Sequence, residues 1–321
     1  MRYLVTGGAG FVGSALVQRL FADGHEVVVL DDLSRGRIGR LHGTNVFVQT
    51  GDIRDPETVI KAMQGCEAVI HLAYIQGTQT FYAEPRLILD VALRGILNVL
   101  DACRITGCRE LLLVSSSEAY ETPPVWPTPE DVPLVVPDPL NPRFSYGGGK
   151  IASELAALAW QRTGILDRLI IVRPHNIFGP NMGTKHVIPE FCERMNELVV
   201  RHSDPAKVIP FPIQGSGEET RSFCYIDDCT EQFVTLLNKA PAGAEIYHLG
   251  TMEERTVADV AHSVAACYLR EIKIELGVLP KGSPSRRLPD IAKIAALGYS
   301  GPQVSFADGL AQTVRWYRDN A

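Results

Sequence analysis

At 321 residues, with 45 % hydrophobic and 21 % charged residues and a formal net charge of −6, the chain has ordinary globular usage and is long enough for one large domain or a nucleotide-binding domain with a smaller lobe. Its acidic balance and lack of a dense Lys/Arg run exclude a phosphate-neutralising nucleic-acid surface, and no apolar run reaches the roughly 18 to 20 residues that cross a bilayer. The first apolar run starts at Tyr3 and leaves no room for a charged leader, so a cytoplasmic location is expected, and the seven cysteines, none in a C-x-x-C pair, read as reduced and mostly buried thiols.

Short β-rich runs alternate with longer amphipathic stretches through the first half. Strands are expected at Tyr3–Thr6, Glu26–Leu30, Val46–Gln49, Ala68–Leu72, Glu110–Val114 and Leu169–Val172. Helices are expected at Phe11–Asp23, Pro56–Met63, Pro85–Thr106 and Ser145–Arg162, where apolar residues recur at helical spacing. Strands joined by crossover helices pair in parallel, so the fold class is α/β, a Rossmann-type doubly wound sheet with ligands at the strands' carboxyl ends. Beyond about Arg173 the pattern becomes irregular. Residues 1–175 are read as the Rossmann-type domain, joined by part of 220–250 because 227–238 reads as a helix that returns to it, and 176–321 mainly as a smaller substrate lobe. The stretch 122–142 holds eight prolines and reads as an ordered loop near the site.

The turn Thr6-Gly7-Gly8-Ala9-Gly10-Phe11-Val12-Gly13 joins the first strand to the first helix, with glycines at 7, 10 and 13. Such glycines let backbone N–H groups approach a pyrophosphate at the positive end of a helix. The motif alone is weak, and helix-to-sheet packing would also explain it. Its place after a strand, with Asp31-Asp32 ending the next one, points to a dinucleotide. Asp31 and Asp32, with Ser34 in the same loop, can hold the adenosine ribose hydroxyls, and their charge favours NAD over NADP. Arg35 and Arg37 pull the other way, as flanks for a phosphate or as a solvated loop.

Tyr146 and Lys150 share a face of one predicted helix. A phenol of pKa about 10 is a poor base at neutral pH, but a nearby ammonium and a bound nicotinamide favour the phenolate. Tyr146 is therefore expected to take a proton from a substrate hydroxyl, with Lys150 also holding the nicotinamide ribose. A Y-x-x-x-K match by itself means little. Here the strand ending at Val114 delivers Ser115-Ser116-Ser117-Glu118 thirty residues upstream, and Ser116 can complete the relay.

With these features in hand, the sequence resembles the extended short-chain dehydrogenase/reductase family, in its nucleotide-sugar epimerase, dehydratase and decarboxylase branch. The resemblance also rests on Asp52-Ile53, His71-Leu72-Ala73, Arg173-Pro174-His175-Asn176, the segment 220–228 and Arg286-Arg287-Leu288-Pro289-Asp290-Ile291. It implies that Asp52 and Ile53 meet the adenine, that Leu72 and Ala73 meet the ribose and pyrophosphate, and that Ser117 and Asn176 contact a nucleoside-diphosphate sugar. Arg221 and Arg287 would clamp its diphosphate, since forked guanidinium donors match phosphate oxygens. Tyr74, Glu121 and His175 depart from the family's usual residues and are expected to shape the sugar pocket.

The reaction implied begins with transient oxidation at sugar C4 to a 4-keto intermediate. Epimerisation at C4 needs the fewest special groups and ranks first. Glu118 keeps 4,6-dehydration and uronate decarboxylation open as alternatives, because a 4-ketone acidifies the C5 proton. A non-catalytic NAD-binding sensor or structural subunit is the alternative of another class, disfavoured by the intact Ser116, Tyr146 and Lys150. No histidine spacing suggests a metal. A homodimer formed through the helices 85–106 and 145–162 is implied by the resemblance, although Leu93, Ile96, Leu97 and Leu100 would serve equally as intrachain core.

Overall fold

In the computed structural model, which describes residues 1–279 and 282–321, the first strand, Arg2–Thr6, runs between two parallel neighbours. Tyr3, Leu4 and Val5 are all buried, so both faces of this strand are covered, as an apolar run without polar alternation requires. On one side lie Glu26–Asp31 and then Phe47–Thr50; on the other lie Ala68–His71, Glu110–Val114 and Arg168–Pro174, all parallel. A seventh strand, Gly243–Leu249, adds in parallel beyond Arg168–Pro174. Strand order reverses on either side of Arg2–Thr6, and the crevice above its carboxyl end is where such sheets bind ligands.

Helices cover both faces. Phe11–Ala22 and Ile226–Lys239 bury Leu16, Val17, Leu20, Phe233 and Leu236 against one face. On the other face Pro56–Met63, Pro85–Thr106 and Ser145–Arg162 bury Val59, Met63, Ile96, Val99, Leu100 and Ala157. The helix Pro85–Thr106 begins with proline in its first turn and ends at Gly107 in the left-handed conformation, the arrangement that leaves fewest orphaned backbone groups.

A third apolar cluster, including Phe191, Met195, Phe211, Val260, Val264, Leu310 and Val314, lies among the helices Val187–Arg201, Val257–Cys267 and Phe306–Asp319 and the parallel strand pair Ile209–Ile213 and Ile272–Leu276. Thr220–Ser222 pairs with both Glu254–Thr256 and Arg286–Arg287, which brings a C-terminal arginine pair back towards the cleft. The proline-rich loop is fastened there too: Thr128 N–H donates to the Leu288 carbonyl at 2.8 Å and the Thr128 carbonyl accepts from Asp290 N–H at 2.8 Å.

Several elements escape the sequence pattern, among them the helices Val187–Arg201, Val257–Cys267 and Phe306–Asp319 beyond the regular first half. The strand Gly243–Leu249 is an edge strand whose first half is only partly buried, so its apolar signal is diluted by Glu245. The helix Thr78–Ala83 is six residues long, too short for a helical period to register. The seven-stranded parallel sheet with helices on both faces is the α/β class expected from the sequence. Among the described residues no helix is long and apolar enough to cross a membrane.

Candidate active site

One cavity of about 540 Å³ opens above the carboxyl ends of the first, second, fourth and fifth strands. Its floor at one end is the glycine turn. Gly7 has φ of +72°, and a Cβ there would lie 2.8 Å from the Ala73 backbone nitrogen; a Cβ on Gly13 would lie 2.2 Å from the Gly7 carbonyl oxygen. Side chains at these two positions would therefore collide with backbone, and their absence lets the start of helix Phe11–Ala22 face the cavity with no side-chain cap on its N–H groups.

Asp31 is buried and holds this turn together, accepting from Ala9 N–H at 3.0 Å and from Leu33 N–H at 2.9 Å. Asp32 accepts from the Ser34 amide at 2.9 Å and the Ser34 hydroxyl at 2.6 Å. Both carboxylates and Ser34 line the cavity, as do Gly7, Gly10, Phe11, Val12, Gly13, Asp52, Ile53, Leu72 and Ala73. Asp52 is gripped by Arg54 at 2.6 Å, whose hydrogen bonds hold the carboxyl below its ordinary range. These residues line one cavity, and an acidic, glycine-floored cradle at a helix N-terminus fits a dinucleotide pyrophosphate and its ribose.

The other end carries Ser116, Ser117, Glu118, Tyr146, Lys150, Asn176 and Arg287. Ser116 caps the turn 117–120, its hydroxyl accepting from Glu118 N–H at 3.1 Å. Tyr146 is buried, with Phe81 stacked on its ring at 4.7 Å between centroids and Tyr74 edge-on at 5.2 Å. Burial raises its pKa, and the Glu118 charge adds to this, while a hydrogen bond with Ser116 and the charges of Arg287 and Arg35 oppose it. The phenolate expected from the sequence is therefore not favoured by the protein alone. Lys150, whose Nζ donates to the Val114 carbonyl at 2.7 Å, is pushed down to about 7 by burial and stands 5.8 Å from the Tyr146 ring centroid.

Glu118 is ion-paired with Arg287 at 2.5 Å and faces Arg143 at 3.6 Å. Burial alone would raise this carboxyl, but the Arg287, Arg143 and Arg221 guanidiniums overcome it and hold the group at about 2. Arg287 therefore meets Glu118 at the Tyr146 end of the cleft, and its Nε and Nη2 are buried with no hydrogen-bond partner among the described residues. Asn176 lines the cavity and donates to the Ser222 carbonyl at 2.9 Å.

Arg221 stands apart from the other expected residues. It does not line the cavity, and its guanidinium donates to the carbonyls of Thr220, Pro284 and Ser285 at 2.6 to 3.2 Å, so here it fastens a loop and presents no free fork to a diphosphate.

Sequence reasoning missed Arg143, Phe81, Lys185 and His186, of which the last three line the cavity. Arg143 gave one usable signal, a charge set between Pro142 and Phe144 just before a predicted helix. The segment 182–186 has neither periodicity nor motif, so nothing marked it.

The geometry has close counterparts. The model of the NAD dependent epimerase/dehydratase family matches residues 3–250. A UDP-glucose 4-epimerase of Mycolicibacterium smegmatis is 32 % identical, with 100 % of both chains covered. A UDP-glucuronic acid decarboxylase 1 of Danio rerio is 31 % identical over 98 % of this chain and 72 % of its own. A dTDP-glucose 4,6-dehydratase of Streptomyces venezuelae, solved with NAD bound, superposes with a TM-score of 0.86 at 31 % identity, covering 100 % of this chain and 98 % of its own. Glycine cradle, acidic pair and Ser-Tyr-Lys end belong to one scaffold, and the chain is a member of the NAD dependent epimerase/dehydratase family.

Proposed function

We propose that the protein holds a nucleoside-diphosphate sugar at the Tyr146–Arg287 end of the cleft, beside NAD, and inverts the sugar at C4. Bound NAD supplies the hydride acceptor and donor. The residues do the rest: Ser116 and Tyr146 carry the proton of the C4 hydroxyl, Lys150 supplies positive charge beside them, and Phe81 and Tyr74 keep water from the phenol. In this reading Asn176, Ser117 and Arg287 contact the nucleotide sugar, residues 1–175 with part of 220–250 hold NAD, and the remainder of 176–321 holds the nucleotide sugar.

The state of Glu118 carries the choice of reaction. Loss of water across C5 and C6 requires a base that accepts the C5 proton, and a carboxylate held at about 2 by Arg287 and Arg143 is a weak one. Inversion at C4 moves only the hydroxyl proton. A second reading, decarboxylation of a uronic acid, is favoured by the buried Arg287 Nε and Nη2, two unpartnered donors suited to an anionic oxygen. Incubation with NAD and UDP-, GDP-, dTDP- and CDP-sugars in deuterated water, followed by mass spectrometry and NMR, tests this. Conserved mass with C4 inverted and no deuterium at C5 is expected; loss of water or carbon dioxide would replace epimerisation with one of the other reactions.

The helix Pro85–Thr106 separates two apolar rows. Ile96 and Leu100 are fully buried in their own sheet's core, whereas Leu89, Leu93 and Leu97, one turn apart, are 38–42 % exposed, and Leu155 on the neighbouring helix is 63 % exposed. This ridge suits a two-fold four-helix contact in a cytoplasmic homodimer. Sedimentation of Leu93→Glu, expected to be monomeric, tests it against a wild-type dimer.

A further inference from the structure

Lys150 is a buried ammonium with no free carboxylate opposite it. The groups that face it are Glu154 on its own helix, His71 on the neighbouring strand, and Tyr74 and Tyr146. Both Glu154 oxygens are taken by Arg173, at 3.0 and 2.6 Å. His71 is neutral, driven down to about 3 by burial and by the Lys150 charge, with Nδ1 2.8 Å from the Thr6 hydroxyl. Tyr146 is farther off, at 5.8 Å. What meets the ammonium is the face of the Tyr74 ring, 3.7 Å from Nζ to centroid.

The opposite helix is cut to admit that ring. A Cβ on Gly149 would lie 2.4 Å from the Tyr74 hydroxyl oxygen and 3.0 Å from Ala92 Cβ. The stretch Tyr146-Gly147-Gly148-Gly149-Lys150 therefore carries a notch one residue before the lysine, and the Tyr74 hydroxyl fills it while reaching the Tyr146 carbonyl at 3.4 Å.

We propose that Tyr74 is a positioning residue for Lys150: its ring face keeps the ammonium protonated and seated on the Val114 carbonyl, and Gly149 is the notch that lets the ring in. The negative face of an aromatic ring attracts a cation most strongly where water is excluded, and here it offsets the burial that drives Lys150 towards neutrality. For its effect on turnover the proposal rests on Lys150 being catalytic, as proposed above; for the lysine's protonation it does not.

The test is NMR titration of the protein labelled with ¹³Cε-lysine, the Lys150 signal being assigned from Lys150→Met. Tyr74→Phe, which keeps the ring, is expected to match the wild-type midpoint. Tyr74→Leu is expected to lower it by about half a unit to one and a half units, the span from an exposed to a desolvated cation–π contact. An unchanged midpoint in Tyr74→Leu would overturn the proposal. Should that variant fail to fold, Gly149→Ala displaces the ring without altering it; a lowered midpoint restored in Gly149→Ala/Tyr74→Phe is expected, and a wild-type midpoint in Gly149→Ala overturns the proposal equally. If the midpoint moves as stated while turnover of nucleotide sugars does not, the positioning stands and the catalytic assignment of Lys150 falls.

Discussion

Glu118 and Arg287 are 169 positions apart in the chain and 2.5 Å apart in the fold, with Arg143 as a second cation at 3.6 Å. Removing the arginine leaves a largely buried carboxylate with its weaker partner alone. Arg287→Met is expected to lower stability by about 3 kcal/mol at pH 7, read by urea denaturation. Because the folded carboxyl lies at about 2, below its ordinary 4.5, the pair stabilises above pH 4.5 and loses that contribution as pH falls towards 2. The gap between variant and wild type should therefore narrow across that window; a gap independent of pH would mean that the ion pair is not its source.

Glu121 has the opposite sign. Burial, reinforced by the Glu118 charge, pushes it up to about 7 from an ordinary 4.5. The folded protein then binds more protons than the unfolded chain between these values, so this group's contribution to stability falls as pH rises from 4.5 through 7. Glu121→Gln, which removes the titration, should gain stability relative to wild type at pH 8 and less or none at pH 5. Equal changes at both pH values would count against a raised pKa.

Tyr146→Phe removes the phenolic hydroxyl, the proposed proton carrier, and keeps the ring stacked under Phe81. Turnover is expected to fall by about 10²- to 10⁴-fold, the range of general acid–base contributions, with NAD affinity within a few-fold of wild type by calorimetry. Activity close to wild type would remove Tyr146 from the mechanism.

Gly13→Ala places a methyl 2.2 Å from the Gly7 carbonyl oxygen and 2.9 Å from Gly8 Cα, both backbone atoms that cannot rotate away. The turn must open, and both NAD affinity and thermal stability should fall, the latter by about 1–3 kcal/mol. Unchanged NAD affinity would show that the cradle does not hold the cofactor.

Six of the seven sheet strands were legible as short apolar runs, four of the five α-helices up to Arg162 because each repeats one period over several residues, and the glycine turn because its spacing is local. The Tyr146 and Lys150 pairing was legible for the same reason: four residues on a helix fix a geometry. What sequence could not supply was pairing over long separations. The Glu118–Arg287 contact depends on the short strands 220–222 and 286–287 lying side by side, and strands of two or three residues leave no periodic trace. Arg221 shows the converse. The motif around it is clear, yet the carbonyls of 284–285 that occupy its guanidinium come from a segment whose course only the fold determines. Tyr74 was visible as an unusual residue, but its place against Lys150 required the notch at Gly149, seventy-five positions away.

The route of the chain has a mechanical consequence. After Pro174 it leaves the sheet for the smaller lobe, returns by Ile226–Lys239 to lay down Gly243–Leu249, leaves again, comes back to bury Ile291, Ile294 and Tyr299 in the sheet's core, and ends in the lobe with Phe306–Asp319. A chain that leaves and rejoins the sheet several times ties the two apolar cores together at more than one point, which disfavours swinging them apart about a single hinge.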